Sequence, residues 1–367
     1  MKTNFLRILS VVIASLLLVL NFTSCANQNE SVAMEYKLNE KAVSQADISL
    51  FSLVTAIVNF QLGTNALTPE MWDMAYQEGN DTTVRDIVSA QAKAYLKGLL
   101  QAEYLCDYAY GIGMSDVQKD SVETYINALS QSFGSEKQLE NYLSAYGTDV
   151  DALRQYMTLV IKQDTLYKSF YSEGGIRYED VRAKKSAYFE ENFHIADHIL
   201  IKYSGELKDD GTEVPLTDEE KAQKLEEAKS LYNAVNAGLL DFDETLETYN
   251  EDTYKLGYPF GYFVPETFYW SGISPDVQDA VCEMNVGEIR FVNTDEGAYI
   301  IRKNEMNSAL YASNGAFETY LESTLSQEDF LAECEKADGV VIHEEALSGI
   351  DASKIMPFDI DALGLQE

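Results

Sequence analysis

The sequence predicts an α+β protein. Apolar residues recur at helical spacing through most of residues 35–190, whereas the segments Phe193–Lys202 and Gly297–Lys303 read as strands with two distinct faces. A further strand reads at Asp338-Gly339-Val340-Val341-Ile342. At 367 residues the chain is too long for one ordinary core and suggests two compact units or more. Its 46% hydrophobic and 24% charged residues are the balance of a globular chain, not a disordered one.

The chain opens with a targeting segment. Lys2 and Arg7 are the only charges before Cys25, and the apolar stretch from Ile8 to Leu20 is too short to span a bilayer comfortably. Phe22-Thr23-Ser24-Cys25-Ala26 resembles a bacterial lipobox, in which small residues ahead of the cysteine suit lipoprotein signal peptidase. Phe22 stands where Leu or Val is usual. The resemblance implies removal of residues 1–24, lipidation of Cys25 and a protein held outside the cytoplasm, on the outer face of a bacterial cell membrane. An uncleaved anchor or an ordinary signal peptide is the alternative. Residues 25–34 follow as a polar tether.

Removing residues 1–24 takes away two cations and no anion, so the net charge moves from −34 to −36. Such acidity argues against nucleic acid and against lying on anionic lipid, both of which need cationic patches. Solubility is the simpler use for it. The remaining cysteines, Cys106, Cys282 and Cys334, are odd in number and lack metal-ligand spacing, so no disulfide framework is expected; Cys106 and Cys282 read as small buried hydrophobes. With histidine only at 194, 198 and 343, no metal or cofactor is expected.

Along the mature chain, Tyr36-Lys37-Leu38 with Ala42-Val43 suggests a short strand, and Ser44 to Asp47 a cap before a helix over Ile48–Phe60. Val84, Ile87, Val88, Leu96, Leu99, Leu100 and Leu105 predict a helix over Val84–Tyr110. Ser115 starts another, and Ser135 with Gln138 reads as a capping box after the stop at Gly134. A helix over Leu139–Tyr146 ends at Gly147, and Asp149 caps the next one through Leu153, Tyr156, Met157 and Val160. Gly174-Gly175 breaks the pattern ahead of a helix over Tyr178–Asn192. A helix over Phe317–Glu335 precedes the last strand, and residues 351–367 read as an uninformative tail.

Four blocks resemble the parvulin-type prolyl isomerases: Phe193 to Lys202, Tyr249-Asn250-Glu251-Asp252 with Leu256 to Phe263, Val286-Gly287-Glu288-Ile289, and Gly297 to Lys303. Phe133 to Leu143 and Tyr178 to Asn192 resemble the chaperone domain of PrsA-type foldases and SurA-type periplasmic chaperones. The resemblance implies a helical chaperone domain over 35–190, an inserted parvulin domain (FKBP-like, with a four-stranded antiparallel sheet) over 191–306, and a helix and strand over 307–350 completing the first. The strand at 338–342 would then pair near Tyr36–Leu38.

Isomerising a Xaa–Pro bond means lowering a barrier of roughly 20 kcal/mol without a covalent intermediate. Proline needs an apolar socket, and the twisted amide a few polar groups beneath it. Ala196, His198 and Leu200 share one strand face; Tyr299, Ile301 and Lys303 share another. His198 matches the first histidine of the parvulin pair, and Tyr299 stands where the second usually lies. A strand histidine alone is more often structural. Asn250 and Asp252 fall at the family's polar position near the substrate carbonyl, although Asp252 also fits a simple loop cap. Gly257 and Gly261 suit a tight turn, and Phe260, Tyr262 and Phe263 supply aromatic wall or core. The family's socket Met and Phe align with Ile273 and Val277, implying a shallower pocket. The catalytic candidates are thus His198, Asn250, Asp252 and Tyr299, and the substrate-binding candidates Phe260, Phe263, Ile273 and Val277. In the acidic loop Tyr203–Glu220, after the first strand, only Lys208 stands where phosphate-directed relatives cluster cations, so no phosphopeptide preference is expected.

The resulting expectation is an exported, lipid-anchored foldase acting on unfolded or nascent secreted polypeptides. Ten tyrosines between Tyr95 and Tyr171 suit a client-facing surface, with about half of them filling the bundle interior. One alternative is a chaperone whose parvulin module only binds peptide. Another is a solute-binding lipoprotein, which would need two α/β lobes.

Overall fold

A computed structural model describes residues 32–75, 81–207, 213–270 and 272–360. Cys25, most of its tether and Lys208 lie outside them. The chain divides into two compact units, Met1–Tyr178 with Gln327–Glu367, and Glu179–Ser326.

The first unit begins with a hairpin, β1 (Val32–Leu38) and β2 (Lys41–Asp47). Asn39 and Glu40 take positive φ, the geometry that matches a two-residue turn to strand twist. The hairpin is longer than the short strand expected, since residues 44–47 still pair with β1. Asp47 nevertheless caps the following helix, accepting from the Leu50 amide at 2.8 Å. That helix, Ile48–Gln61, is buried from Leu50 through Asn59 and forms the centre of the core. Helices Val84–Tyr104, Asp116–Ser132, Glu136–Ser144 and Val150–Tyr171 follow, capped by Thr83, Ser115, Ser135 and Asp149. Ser115 and Gln118 close a full capping box, as do Thr83 and Asp86.

Three local expectations are corrected. The helix from Val84 does not run regularly to Tyr110: residues Leu105–Ala109 widen into a π turn, closed by the Tyr110 amide on the Leu105 carbonyl at 2.9 Å. Cys282 is only half-buried, whereas Cys106 and Cys334 are fully so. Residues 351–360 are no loose tail. Phe358 and Ile360 are buried in the first unit's core, the Phe358 amide donates to the Ala56 carbonyl, and the Asn59 amide reaches the Ala352 and Ile355 carbonyls. Asn59 itself is buried, and those carbonyls supply the partners its Nδ2 needs, while its Oδ1 is left without one. The strand Val340–Ile342 pairs antiparallel with β1 through Met34, Glu35 and Tyr36.

In the second unit, helix Tyr178–Asn192 leads into β3 (Phe193–Lys202), followed by β4 (Ser204–Leu207) and β5 (Glu213–Pro215). With β6 (Tyr262–Pro265), β7 (Ile289–Asn293) and β8 (Gly297–Lys303), β3 forms a four-stranded antiparallel sheet in the order β6-β3-β8-β7. The period of two divides its residues cleanly. Ile199, Ile201, Ala298 and Ile300 pack against helices Asp218–Asn236 and Phe242–Tyr249. Ala196, Leu200, Tyr262, Val264, Tyr299 and Ile301 face the other way, toward Val277, Ala280 and Val281 of helix Pro275–Glu283. Helix Gly315–Glu335 adds Phe317 and Leu321 to the second unit's aromatic cluster, and Phe330 and Cys334 to the first unit. All three sheets of the described residues are antiparallel, so the two α/β lobes of a solute-binding protein are not formed. No described helix is long and apolar enough to cross a membrane.

Candidate active site

Registry builds the site. Across β3 and β8, His198 opposes Ile301 and Leu200 opposes Tyr299, so all four side chains share one face. On the far side of β3, Tyr262 opposes Ala196 and lies diagonal to His198. Gly261 makes this entry possible. Its φ is 112°, and a Cβ there would sit 2.7 Å from the Ile195 side chain. Gly257 meets no such constraint, having only the Asn314 amide within 4 Å of a Cβ.

This face and helix Pro275–Glu283 enclose a pocket of about 420 Å³, within the ordinary range for ligand sites. Leu200, Val277, Val281, Ile273, Tyr258 and Trp270 give it apolar walls. Ile273 and Val277 both line it, as expected from the sequence. Gln278 fixes the Trp270 loop: its buried side chain accepts from the Trp270 amide at 3.2 Å and donates to the Pro265 carbonyl at 2.9 Å.

Asp252 is the polar centre. It accepts from Tyr262 at 2.7 Å through Oδ2 and from the Tyr254 amide at 2.9 Å through Oδ1, and its Oδ2 lies 2.9 Å from Nε2 of His198. Burial opposes its charge, yet the bonds from His198, Tyr262 and the Tyr254 amide outweigh it and hold the carboxyl far below the usual carboxylate range. A charged carboxylate only accepts, so Nε2 of His198 carries the proton of that bond. The His198 ring stacks on Tyr262 with centroids 4.3 Å apart and planes 11° apart, and meets Tyr299 edge-on at 5.2 Å.

Burial, helped by the Asp252 carboxylate, pushes the Tyr262 hydroxyl well above its ordinary value; burial, with Glu296 and Asp252 nearby, pushes Tyr299 up to about 12. Both therefore stay protonated donors at neutral pH. The Tyr299 hydroxyl, however, turns to Glu296 at 3.4 Å rather than to His198. The arrangement supplies an apolar socket floored by neutral or fixed donors, the chemistry a twisting amide needs.

The structure thus brings His198, Asp252, Tyr299, Ile273 and Val277 together. Asn250 lies behind them. Its carbonyl oxygen accepts from the Leu200 and Asp252 amides at 2.9 and 3.2 Å, tying the loop to β3 without facing the pocket. Phe263 borders the pocket, but its ring packs with Phe189, Tyr258 and Phe317 on the opposite face of β6. Phe260 is corrected outright: it is 57% exposed and lines no part of the pocket. It precedes the turn at Gly261, so strand alternation does not govern it. Tyr258 and Trp270 were not singled out from the sequence for the site, and Tyr262 was read there only as aromatic wall or core. Its place was findable, since Tyr262 and Val264 alternate against Phe263.

This sheet, pocket and polar centre define a prolyl isomerase domain. The family described as PPIC-type PPIASE domain matches residues 181–307, and this part of the chain is accordingly a peptidyl-prolyl cis–trans isomerase domain of the parvulin type. Among solved structures the chain is similar to a peptidylprolyl isomerase, PrsA, from Bacillus anthracis: 17% identity over 65% of this chain and 94% of that one, with a TM-score of 0.24. PrsA from Bacillus subtilis is 18% identical over 80% and 96%, TM-score 0.22. Foldase protein PrsA from Streptococcus pneumoniae is 14% identical over 77% and 99%, TM-score 0.23. A search of curated proteins found no match.

Proposed function

We propose that the protein is an exported foldase, tethered to the membrane through lipid on Cys25, which holds unfolded secreted polypeptides and isomerises their Xaa–Pro bonds. The observation that carries this reading is the pocket: its apolar walls and the fixed donors around Asp252 suit a proline presented on an extended chain. The short apolar segment ending at Cys25 supports export and anchoring. The helical first unit supports the holding role, with Tyr108, Tyr110 and Tyr142 exposed among the ten tyrosines between Tyr95 and Tyr171. Of the others, Tyr95 and Tyr156 are buried and joined hydroxyl to hydroxyl at 2.9 Å, while Tyr104, Tyr146, Tyr167 and Tyr171 pack in ring clusters. The client surface is therefore narrower than the tyrosine count suggests. No preference for phosphorylated substrate belongs to this reading: among the described residues Lys202 is the sole Lys or Arg lining the pocket, and Asp252 and Glu296 stand with it.

The test uses the mature chain. It should speed the proline-limited refolding phase of a test protein and suppress aggregation of that protein when refolding is blocked. In the producing bacterium, labelled fatty acid should enter the wild type and not Cys25→Ser. Labelling that survives the substitution removes the anchor, and an unchanged slow phase removes the foldase reading.

A further inference from the structure

The Tyr299 hydroxyl, at the position where the family resemblance expects a second histidine, spends its hydrogen bond on Glu296, and only its ring edge meets His198. Tyr262 makes both contacts that a partner of the histidine would make. Its hydroxyl donates to the same Asp252 oxygen that His198 reaches, at 2.7 Å against 2.9 Å, and its ring lies parallel to the imidazole at 4.3 Å. Two donors converging on one carboxylate oxygen leave the imidazole little freedom to rotate, and stacking removes the motion out of its plane. Tyr262 is itself held: it is buried, its strand is registered on β3, and Gly261 sets its entry.

We propose that Tyr262 is the positioning residue of this site. It fixes the orientation and tautomer of His198 through Asp252, taking over at position 262 the duty expected at 299. The proposal rests on the isomerase reading of the pocket, yet its first readout is independent of turnover. Nothing in it requires Tyr262 to touch the substrate.

The test is Tyr262→Phe in the full chain, which keeps the stacked ring and removes only the hydroxyl. The chain has three histidines, so a sample labelled with ¹⁵N at histidine gives a spectrum simple enough to follow His198. In the wild type the His198 Nε2 proton should be observable and slow to exchange at neutral pH. In the variant it should exchange about tenfold faster or vanish, with His194 and His343 unmoved as the control for folding. Turnover should fall about tenfold, the size of one hydrogen bond to a charged group, while KM stays within about twofold. An unchanged His198 signal overturns the proposal, and so does a raised KM with kcat preserved, which would make Tyr262 a substrate contact. A wild type without turnover counts against the isomerase reading and leaves the His198 readout to decide this one.

Discussion

Asp252 keeps its charge although its side chain is only 8% exposed and burial alone would neutralise it, because three donors surround it. Its folded pKa is depressed, so the stability it confers is complete above the unfolded value of about 3.9 and is lost as pH falls through the folded one. Asp252→Asn should therefore melt below the wild type at pH 7, and the gap should begin to close below about pH 4. A gap constant from pH 7 to pH 3 would show that the charge is not what the site uses. Asp197, buried on the opposite face of β3 and bonded to Lys255, Arg302 and Asn304, is depressed for the same kind of reason and remains in both proteins, so it cancels in the comparison. At this scale His198, Asp252 and Tyr299 were legible in the sequence, from strand faces and from the family phrases. Which hydroxyl the carboxylate would take was not, because Tyr262 and Tyr299 offer the same group.

At the scale of elements, the decisive joint is the turn into β6. A Cβ on Gly261 would meet the Ile195 side chain at 2.7 Å and the Ala196 carbonyl at 3.3 Å, with the backbone already at a φ that other residues avoid. Gly261→Ala should cost about 1–3 kcal/mol in the unfolding of the isomerase unit. It should also lower turnover, because Tyr262 follows immediately in the chain. Gly257→Ala, where the structure leaves room, should be close to neutral in the same denaturation experiment. Equal effects of the two would refute this reading of the turn. The sequence pointed to both glycines alike, since composition marks a turn without saying which residue carries the positive φ. Helix starts were legible at Ser115 and Asp149, whereas the side-chain caps at Thr217 and Asp241, which open two helices of the second unit, were not read. The π turn at Leu105–Ala109 was not, because Leu105 and Cys106 remain buried and the apolar rhythm runs through it.

For the whole molecule, the chain passes from the first unit to the second and back, and the residues after that return complete the first core. Phe358 is 1% exposed and packs edge-on to Tyr146 at 4.8 Å. Phe358→Ala should destabilise the first unit by about 3–5 kcal/mol, read by circular dichroism or calorimetry, and leave the isomerase unit's own transition in place. Loss of both transitions together would mean that the units unfold as one. Residues 351–360 had no periodicity to announce this role, since an irregular segment buries its side chains one at a time.

The sequence by itself determined the class: helical spacing, side-chain caps and strand alternation are local, and they placed a helical region before a sheet and put His198 on its site face. Only the tertiary structure decided the partners. His198 and Asp252 are 54 residues apart, Tyr262 and Tyr299 compete for the same kind of bond, and Phe358 fills a core begun more than three hundred residues earlier. Those choices depend on which groups the folded chain brings within about 3 Å of one another. Period and composition carry no such distance.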